Sequence, residues 1–216
     1  MAQSPRQPNL MPQRTGANSL LDGARFLKTL LGNPQDTGAV SPSGRELAKA
    51  MAREAPLAGD GLVIELGPGT GPVTQALIEA GVAPERLVLV EYDLGFCELL
   101  RERFAGIRIV QGDAYNLSAT LADCREKSVS AVVSSLPLLN QPPANRIGLF
   151  DDAFLLMGPG GVFIQFTYGP SSPIPLDHCQ PDYLVKSSRR IWRNIPPARV
   201  WTYRVAPGAA RRGIDV

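Results

Sequence analysis

The stretch Leu62-Val63-Ile64-Glu65-Leu66-Gly67-Pro68-Gly69-Thr70-Gly71 constrains the fold of this chain more than any other. The apolar run Leu62 to Leu66 reads as a buried strand, and it stops at three glycines in alternate positions. A helix-like segment follows from Pro72 to Ala80. A strand, a tight glycine turn and a helix let a ligand lie against bare backbone, because glycine has no Cβ to hold it off. The third glycine comes one residue too early for the dinucleotide pattern G-x-G-x-x-G.

Charge narrows the ligand. Glu65 puts a carboxylate at the end of the strand, and Pro72 removes one of the N–H groups that an anion at a helix N-terminus would use. A cationic ligand without phosphate suits Glu65, Gly67, Gly69 and Gly71 better. S-adenosylmethionine, with its α-amino group and sulfonium, is such a ligand. The alternative is a glycine-rich connection in another α/β protein, with Glu65 paired to a core arginine.

Two more strands place carboxylates at the same level. Arg86 to Glu91 reads as a second buried strand, and Glu91 lies about twenty residues beyond the turn, where an acidic side chain accepts ribose hydroxyls. Tyr92 beside it is placed to cover an adenine face or to serve as a structural tyrosine. A third strand, Arg108 to Val110, runs into Gly112-Asp113-Ala114. Asp113 can accept from an adenine amino group or cap the following turn. Ser134, at the end of a fourth strand from Ser130, completes the candidate cofactor contacts with Ala114. Three acidic residues at three successive strand ends form a pattern that one alone does not.

The remaining segments set the architecture. A helix from about Pro143 to Met157 and a fifth strand, Val162 to Tyr168, extend the alternation of strand and helix, which implies a parallel sheet with helices on both faces and ligand at its carboxyl ends. After a loop with four prolines, Gly169 to Pro181, the segments Val185–Trp192 and Val200–Val205 read as an antiparallel hairpin. The fold class expected is thus α/β, a Rossmann-like seven-stranded sheet of the class I methyltransferase type. At 216 residues one such domain accounts for the chain, taken as residues 37–208. Residues 1–18, rich in Pro, Gln and Arg, read as a disordered tail, and 209–216 as a second tail. Residues 19–36 hold an amphipathic helix with Leu20, Leu21, Ala24, Leu27, Leu30 and Leu31 on one face, which packs on the domain or lies on a lipid surface. The loop from Thr37 to Ser43 is placed to close over the ligand as a lid.

The composition is that of an ordinary globular protein, with 19% charged residues and a net charge of +2, so bulk charge gives no sign of nucleic-acid binding. The charge is uneven, however: Lys186 to Arg212 holds eight basic residues and no acidic one. Cys97, Cys124 and Cys179 show no metal-binding spacing, so neither a zinc site nor a disulfide framework is expected. No apolar run reaches the ~20 residues of a membrane span.

Glu65-Leu66-Gly67-Pro68-Gly69-Thr70-Gly71, Val90-Glu91-Tyr92-Asp93 and Gly112-Asp113-Ala114 together resemble the rRNA adenine dimethyltransferases and the bacterial phospholipid N-methyltransferases similar to them. The fourth-strand loop separates the two. The rRNA enzymes carry Asn-Leu-Pro-Tyr there, whereas this chain reads Ser135-Leu136-Pro137-Leu138, without the amide or the ring that hold a flipped base. The run Thr37 to Pro42 and the run Asn194 to Trp201 also look like the phospholipid branch. The resemblance implies methylation of phosphatidylethanolamine and its methylated forms, up to phosphatidylcholine, with S-adenosylmethionine as donor and S-adenosylhomocysteine as product. It implies a peripheral place on the cytoplasmic face of the inner membrane, with no nucleic acid and no metal as partners. The candidate residues for the amine are Tyr115, Tyr168 and Ser135, and those for lipid phosphate are Arg189, Arg190 and Arg193, whose guanidinium forks match phosphate oxygens. His178 is the only histidine and a possible base or a surface residue.

Overall fold

The computed structural model describes residues 42–178, 183–194 and 196–208. The tail 1–18, the helix 19–36, the lid residues 37–41, Cys179, the tail 209–216 with Arg211 and Arg212, and the side chain of His178 lie outside the described residues.

Seven strands form one sheet: β1 (Leu62–Leu66), β2 (Leu87–Glu91), β3 (Arg108–Gln111), β4 (Val129–Ser134), β5 (Val162–Thr167), β6 (Tyr183–Ser187) and β7 (Arg199–Val205). Their spatial order is β3-β2-β1-β4-β5-β7-β6. The first five run parallel, and β7 pairs antiparallel with both β5 and β6. This is the mostly parallel, seven-stranded sheet with an antiparallel C-terminal hairpin expected from the sequence.

The helices divide the side chains of the sheet into two cores. One face packs against α1 (Pro42–Ala52), α2 (Pro72–Ala80) and α3 (Leu94–Arg103) through Met51, Leu77 and Leu100, set against Val63, Leu89 and Val133. The other packs against α4 (Leu117–Thr120) and α5 (Pro143–Met157) through Leu117, Phe150 and Phe154, set against Ile64, Val132 and Phe163. The strands are apolar on both faces because both are covered, as parallel sheets require. Phe150 is the hub of the second core, its ring 4.8 to 5.3 Å from those of Phe154, Phe163, Tyr183 and Tyr203. Helix α5 starts as the sequence predicts because Pro143 occupies a first-turn position whose N–H has no helical partner in any case.

The hairpin departs from expectation. Strand β6 covers Tyr183–Ser187, not Val185–Trp192. Ser188 ends the ladder: its Oγ accepts the Val200 N–H at 3.0 Å, taking the donor that a continuing strand would have bonded through its backbone. Beyond Ser188 the chain turns back to β7 by way of the isolated bridge Ile191–Ala198. Since β6 runs parallel to β5, this turn lies at the carboxyl ends of the parallel strands.

Candidate active site

The glycine turn has the conformation that its sequence demands. Gly67, Gly69 and Gly71 have φ values of 64°, 57° and 82°, the left-handed region that side-chain-bearing residues avoid. Space is restricted as well: a Cβ on Gly67 would lie 2.5 Å from Leu136 Cδ2, and one on Gly71 would collide with the Phe104 ring. Arg103, at the end of α3, holds the turn by donating from Nη1 to the Thr70 carbonyl at 2.7 Å. Gly67 N–H bonds to the Val90 carbonyl and Ser135 N–H to the Leu66 carbonyl, both at 2.9 Å, so the ends of β1, β2 and β4 are stapled at one level.

Glu65 is fully buried beneath this turn. Its Oε2 accepts from Thr74 Oγ1 at 2.6 Å, and its Oε1 has no partner. Burial pushes its carboxyl up to about 8; the Thr74 hydroxyl works against this, the Glu91 charge adds to it, and the Ser135 hydroxyl, outside hydrogen-bonding geometry, opposes it least. The core arginine that the alternative reading required is not there among the described residues. A buried carboxyl with an orphaned oxygen is an acceptor awaiting a donor, and a cationic donor would restore its charge.

Glu91 closes the turn from the next strand. Its Oε2 accepts the Gly69 N–H at 3.0 Å, and its Oε1 accepts those of Tyr92 and Asp93 at 2.8 and 3.0 Å. Burial raises its carboxyl above the usual range, and these three backbone donors oppose the shift. Three of its roughly four acceptor positions are filled, which leaves capacity for a hydroxyl donor. Asp113 caps the next turn, with Oδ1 accepting the Tyr115 N–H at 2.8 Å. Capping uses one oxygen, so this role and that of accepting an adenine amino group are compatible. Tyr92 projects from the end of β2, 52% exposed, and Ala114 is buried behind Asp113.

Thus Glu65, Gly67, Gly69, Gly71, Glu91, Tyr92, Asp113, Ala114 and Ser134 lie on the carboxyl ends of β1–β4 or directly after them. A turn of three left-handed glycines, of which Gly67 and Gly71 have no room for a Cβ, an orphaned buried carboxylate oxygen and two further carboxylates fit S-adenosylmethionine well.

The residues predicted to meet the amine are less uniformly placed. Ser134 and Ser135 are buried, each with a hydroxyl that has no partner. Tyr115 is half-buried against the α5-side core, and burial, then the Asp113 charge, pushes its hydroxyl well above the usual phenol range. Tyr168 packs against the opposite core, its ring 5.4 Å from that of Phe166. Burial raises its hydroxyl too, with the neighbouring Asn194 amide opposing. Both phenols therefore stay neutral near pH 7. Arg189 and Arg193 are exposed beyond the end of β6, and Arg190 stacks over Trp192 at 5.5 Å. Trp192 itself is 71% exposed.

Sequence reasoning missed Gln165. Its Nε2 donates to the Leu136 carbonyl at 2.9 Å and to the Phe166 carbonyl at 2.8 Å, which fixes the loop after β4. The available signal was one amide within the apolar run Val162-Phe163-Ile164-Gln165-Phe166. Thr74, the partner of Glu65, carried no comparable signal.

Comparison with known proteins points to methyltransferases. The model of the family described as ribosomal RNA adenine dimethylase matches residues 45–139. The chain is 33% identical over 134 residues to an ornithine lipid N-methyltransferase of Singulisphaera acidiphila, across 61% of this chain and 70% of that one. It is 45% identical over 58 residues to ribosomal RNA small subunit methyltransferase A of a Synechococcus species, across 26% of this chain and only 20% of that one. In fold it resembles the 1,6-didemethyltoxoflavin-N1-methyltransferase of Burkholderia thailandensis, solved with bound S-adenosylhomocysteine: the TM-score is 0.62 at 15% identity, over 92% of this chain and 94% of that one.

Fold and site together define a class I methyltransferase that uses S-adenosylmethionine. Within that class the chain belongs to the family of the ornithine lipid N-methyltransferase, a branch related to the ribosomal RNA adenine dimethylases.

Proposed function

We propose that the protein methylates the primary amine of a membrane lipid, with phosphatidylethanolamine as substrate. The observation that carries this reading is the 134-residue relationship to a lipid N-methyltransferase. The loop Ser135-Leu136-Pro137-Leu138 supports it, since it offers a nucleobase neither an amide nor an aromatic face. The substrate named for the relative makes an ornithine lipid the second reading. None of the described helices is long and apolar enough to cross a membrane, so this reading has the lipid met at the bilayer surface.

When bound, S-adenosylmethionine supplies an electrophilic methyl group on a sulfonium. In the proposed assignment Glu65 holds the α-amino group, Glu91 the ribose hydroxyls, Asp113 the adenine amino group and Tyr92 the adenine face, while Gly67, Gly69 and Gly71 admit the ligand to the backbone. Burial of Glu65 makes its ionised form depend on a bound cation, which ties the state of the site to its occupancy. Transfer to nitrogen needs a neutral amine aligned with the methyl group, so positioning is the main task of the protein. In this assignment Ser135 and Tyr115 flank that amine, and the ring face of Tyr168 stabilises the methylated cation. The neutral phenols orient the amine without serving as bases, and desolvation beside a positive charge lowers its pKa. Arg189, Arg190 and Arg193 meet the phosphates of the bilayer surface, and Trp192 beside them has the amphipathic ring that partitions into membrane interfaces.

The test is incubation with radiolabelled S-adenosylmethionine and liposomes of phosphatidylethanolamine, liposomes of ornithine lipid, and ribosomal RNA, in parallel. Label in phosphatidylethanolamine supports the proposal, and label confined to ornithine lipid establishes the second reading. Transfer to RNA alone would refute both.

A further inference from the structure

On the α5 face of the sheet, the cross-strand row at the end of β4 is polar where it crosses β4, β5 and β7. Ser134 on β4 pairs in register with Gln165 on β5, and Gln165 pairs with Trp201 on β7. The row behind it, Val132, Phe163 and Tyr203, is wholly core. Every member of the polar row carries an unpartnered buried atom: Ser134 Oγ, Gln165 Oε1 and Trp201 Nε1. One step further out, Arg199 pairs with Thr167, and its Nε is also buried without a partner. Arg146 of α5 faces the same core; it donates from Nη1 to the Pro173 carbonyl at 2.7 Å and leaves Nε unpartnered. Neither arginine is ion-paired among the described residues.

Buried polar groups are normally satisfied, so five orphans gathered at one end of one sheet face mark a place where a ligand completes the bonding. The row is ordered by chemistry. Ser134 and Gln165, both 0% exposed, offer acceptors; the Gln165 amide cannot turn its oxygen away, because its nitrogen is held by two carbonyls. Trp201, Arg199 and Arg146 offer donors, and Trp201 and Arg199 are half-buried, which puts the opening on their side. Acceptors therefore lie at the floor and cationic donors at the mouth, with Arg199 diagonally across from Gln165, one strand over and two residues further out, at a separation of ~7–8 Å. That is the layout of a headgroup with an amine at one end and an anion at the other.

We infer that Arg199, assisted by Arg146, binds the anionic group of the substrate headgroup, while Gln165 and Ser134 accept from its amine. This deepens the lipid-amine reading and rests on it for the identity of the ligand. It separates the anion of the reacting lipid, bound at Arg199, from the bilayer phosphates met by Arg189, Arg190 and Arg193. Both a phosphate and a carboxylate fit Arg199, and phosphatidylethanolamine is taken as the occupant from the proposed function, not from the spacing of the row.

The experiment uses the full chain loaded with S-adenosylhomocysteine and three soluble probes: glycerophosphoethanolamine, Nα-acetylornithine and ethanolamine. In a Trp192→Phe background Trp201 is the sole tryptophan, so its emission reports the row directly. Glycerophosphoethanolamine is expected to change that emission and to bind at least tenfold more tightly than ethanolamine, which lacks the anion. Arg199→Met should weaken this binding, and raise KM for lipid, by about 10- to 100-fold, the range of a lost charge-assisted hydrogen bond. Its kcat and its affinity for S-adenosylhomocysteine should stay within threefold, and Arg199→Lys should recover part of the loss. Tighter binding of Nα-acetylornithine than of glycerophosphoethanolamine would assign the anion as a carboxylate and overturn phosphatidylethanolamine as the occupant. Equal binding of ethanolamine, or an unchanged KM in Arg199→Met, would overturn the Arg199 assignment while lipid methylation stands. If the wild type methylates no lipid but binds glycerophosphoethanolamine through Arg199, the subsite holds and the lipid reading falls; binding of none of the probes overturns the subsite itself.

Discussion

Glu65 makes the stability of the ligand-free protein fall as pH rises, and its substitution should abolish that effect. Raising a carboxyl from 4.5 to about 8 corresponds to a preference for its neutral form of about 5 kcal/mol, at about 1.4 kcal/mol per pH unit. The sign follows from proton counting. Between these two values the native state keeps the proton on Glu65 while the unfolded chain has lost it, so each step upward favours unfolding. The contribution is complete below pH 4.5 and gone above about 8. From pH 5.5 to 7.5 it amounts to roughly 2.7 kcal/mol, a large share of the 5–15 kcal/mol that hold a typical domain. Urea unfolding of wild type and Glu65→Gln at several pH values measures it directly. The wild type should lose that amount more than the variant over the interval. Ligand binding supplies the second readout: a cation placed on Glu65 expels its proton, so S-adenosylhomocysteine should bind with release of close to one proton near pH 6.5 and more tightly as pH rises. Calorimetry in buffers of different ionisation enthalpy counts that proton. Parallel stability profiles for the two proteins, together with proton-neutral binding, would refute the placement of a neutral buried carboxyl under the turn.

Glu91 and Asp113 should respond differently to removal. Asp113→Ala loses a turn cap and should cost about 1 kcal/mol of stability along with several-fold affinity for S-adenosylhomocysteine; Glu91→Ala strips acceptors from three backbone N–H groups and should lower both stability and affinity more, as urea titration and calorimetry would show. Gly71→Ala combines a left-handed φ with a collision against Phe104, so a loss of at least 1–3 kcal/mol is expected in thermal melts, and an unchanged melting temperature would mean that the turn is not held as described.

The sheet was legible because its code is local. Five apolar runs bounded by glycine and proline placed β1–β5 to within a residue or two, and alternation with helices set their direction. The acidic residues at the strand ends were found for the same reason: their positions follow from spacing along the chain. The end of β6 was not found, because a serine hydroxyl that takes the Val200 N–H looks like any other serine in the sequence. Gln165 and Arg199 were missed as members of one polar row since register across β4, β5 and β7 depends on tertiary pairing. The tyrosines show the limit of spacing in another way: Tyr115 and Tyr168 both follow strand ends, yet they pack on opposite cores.

The insertion of β7 between β5 and β6 fixes an order of assembly. Among the described residues strand β6 bonds to no strand except β7, so the edge of the sheet cannot form in the order in which its chain is encountered. Until Arg199–Val205 docks, β5 remains an open edge of exposed N–H and carbonyl groups, and Tyr183–Ser187 has nothing to pair with. Amide protection during refolding should therefore reach β6 no earlier than β7. A chain truncated before Arg199 would lose two strands at once and present β5 as a template for self-association.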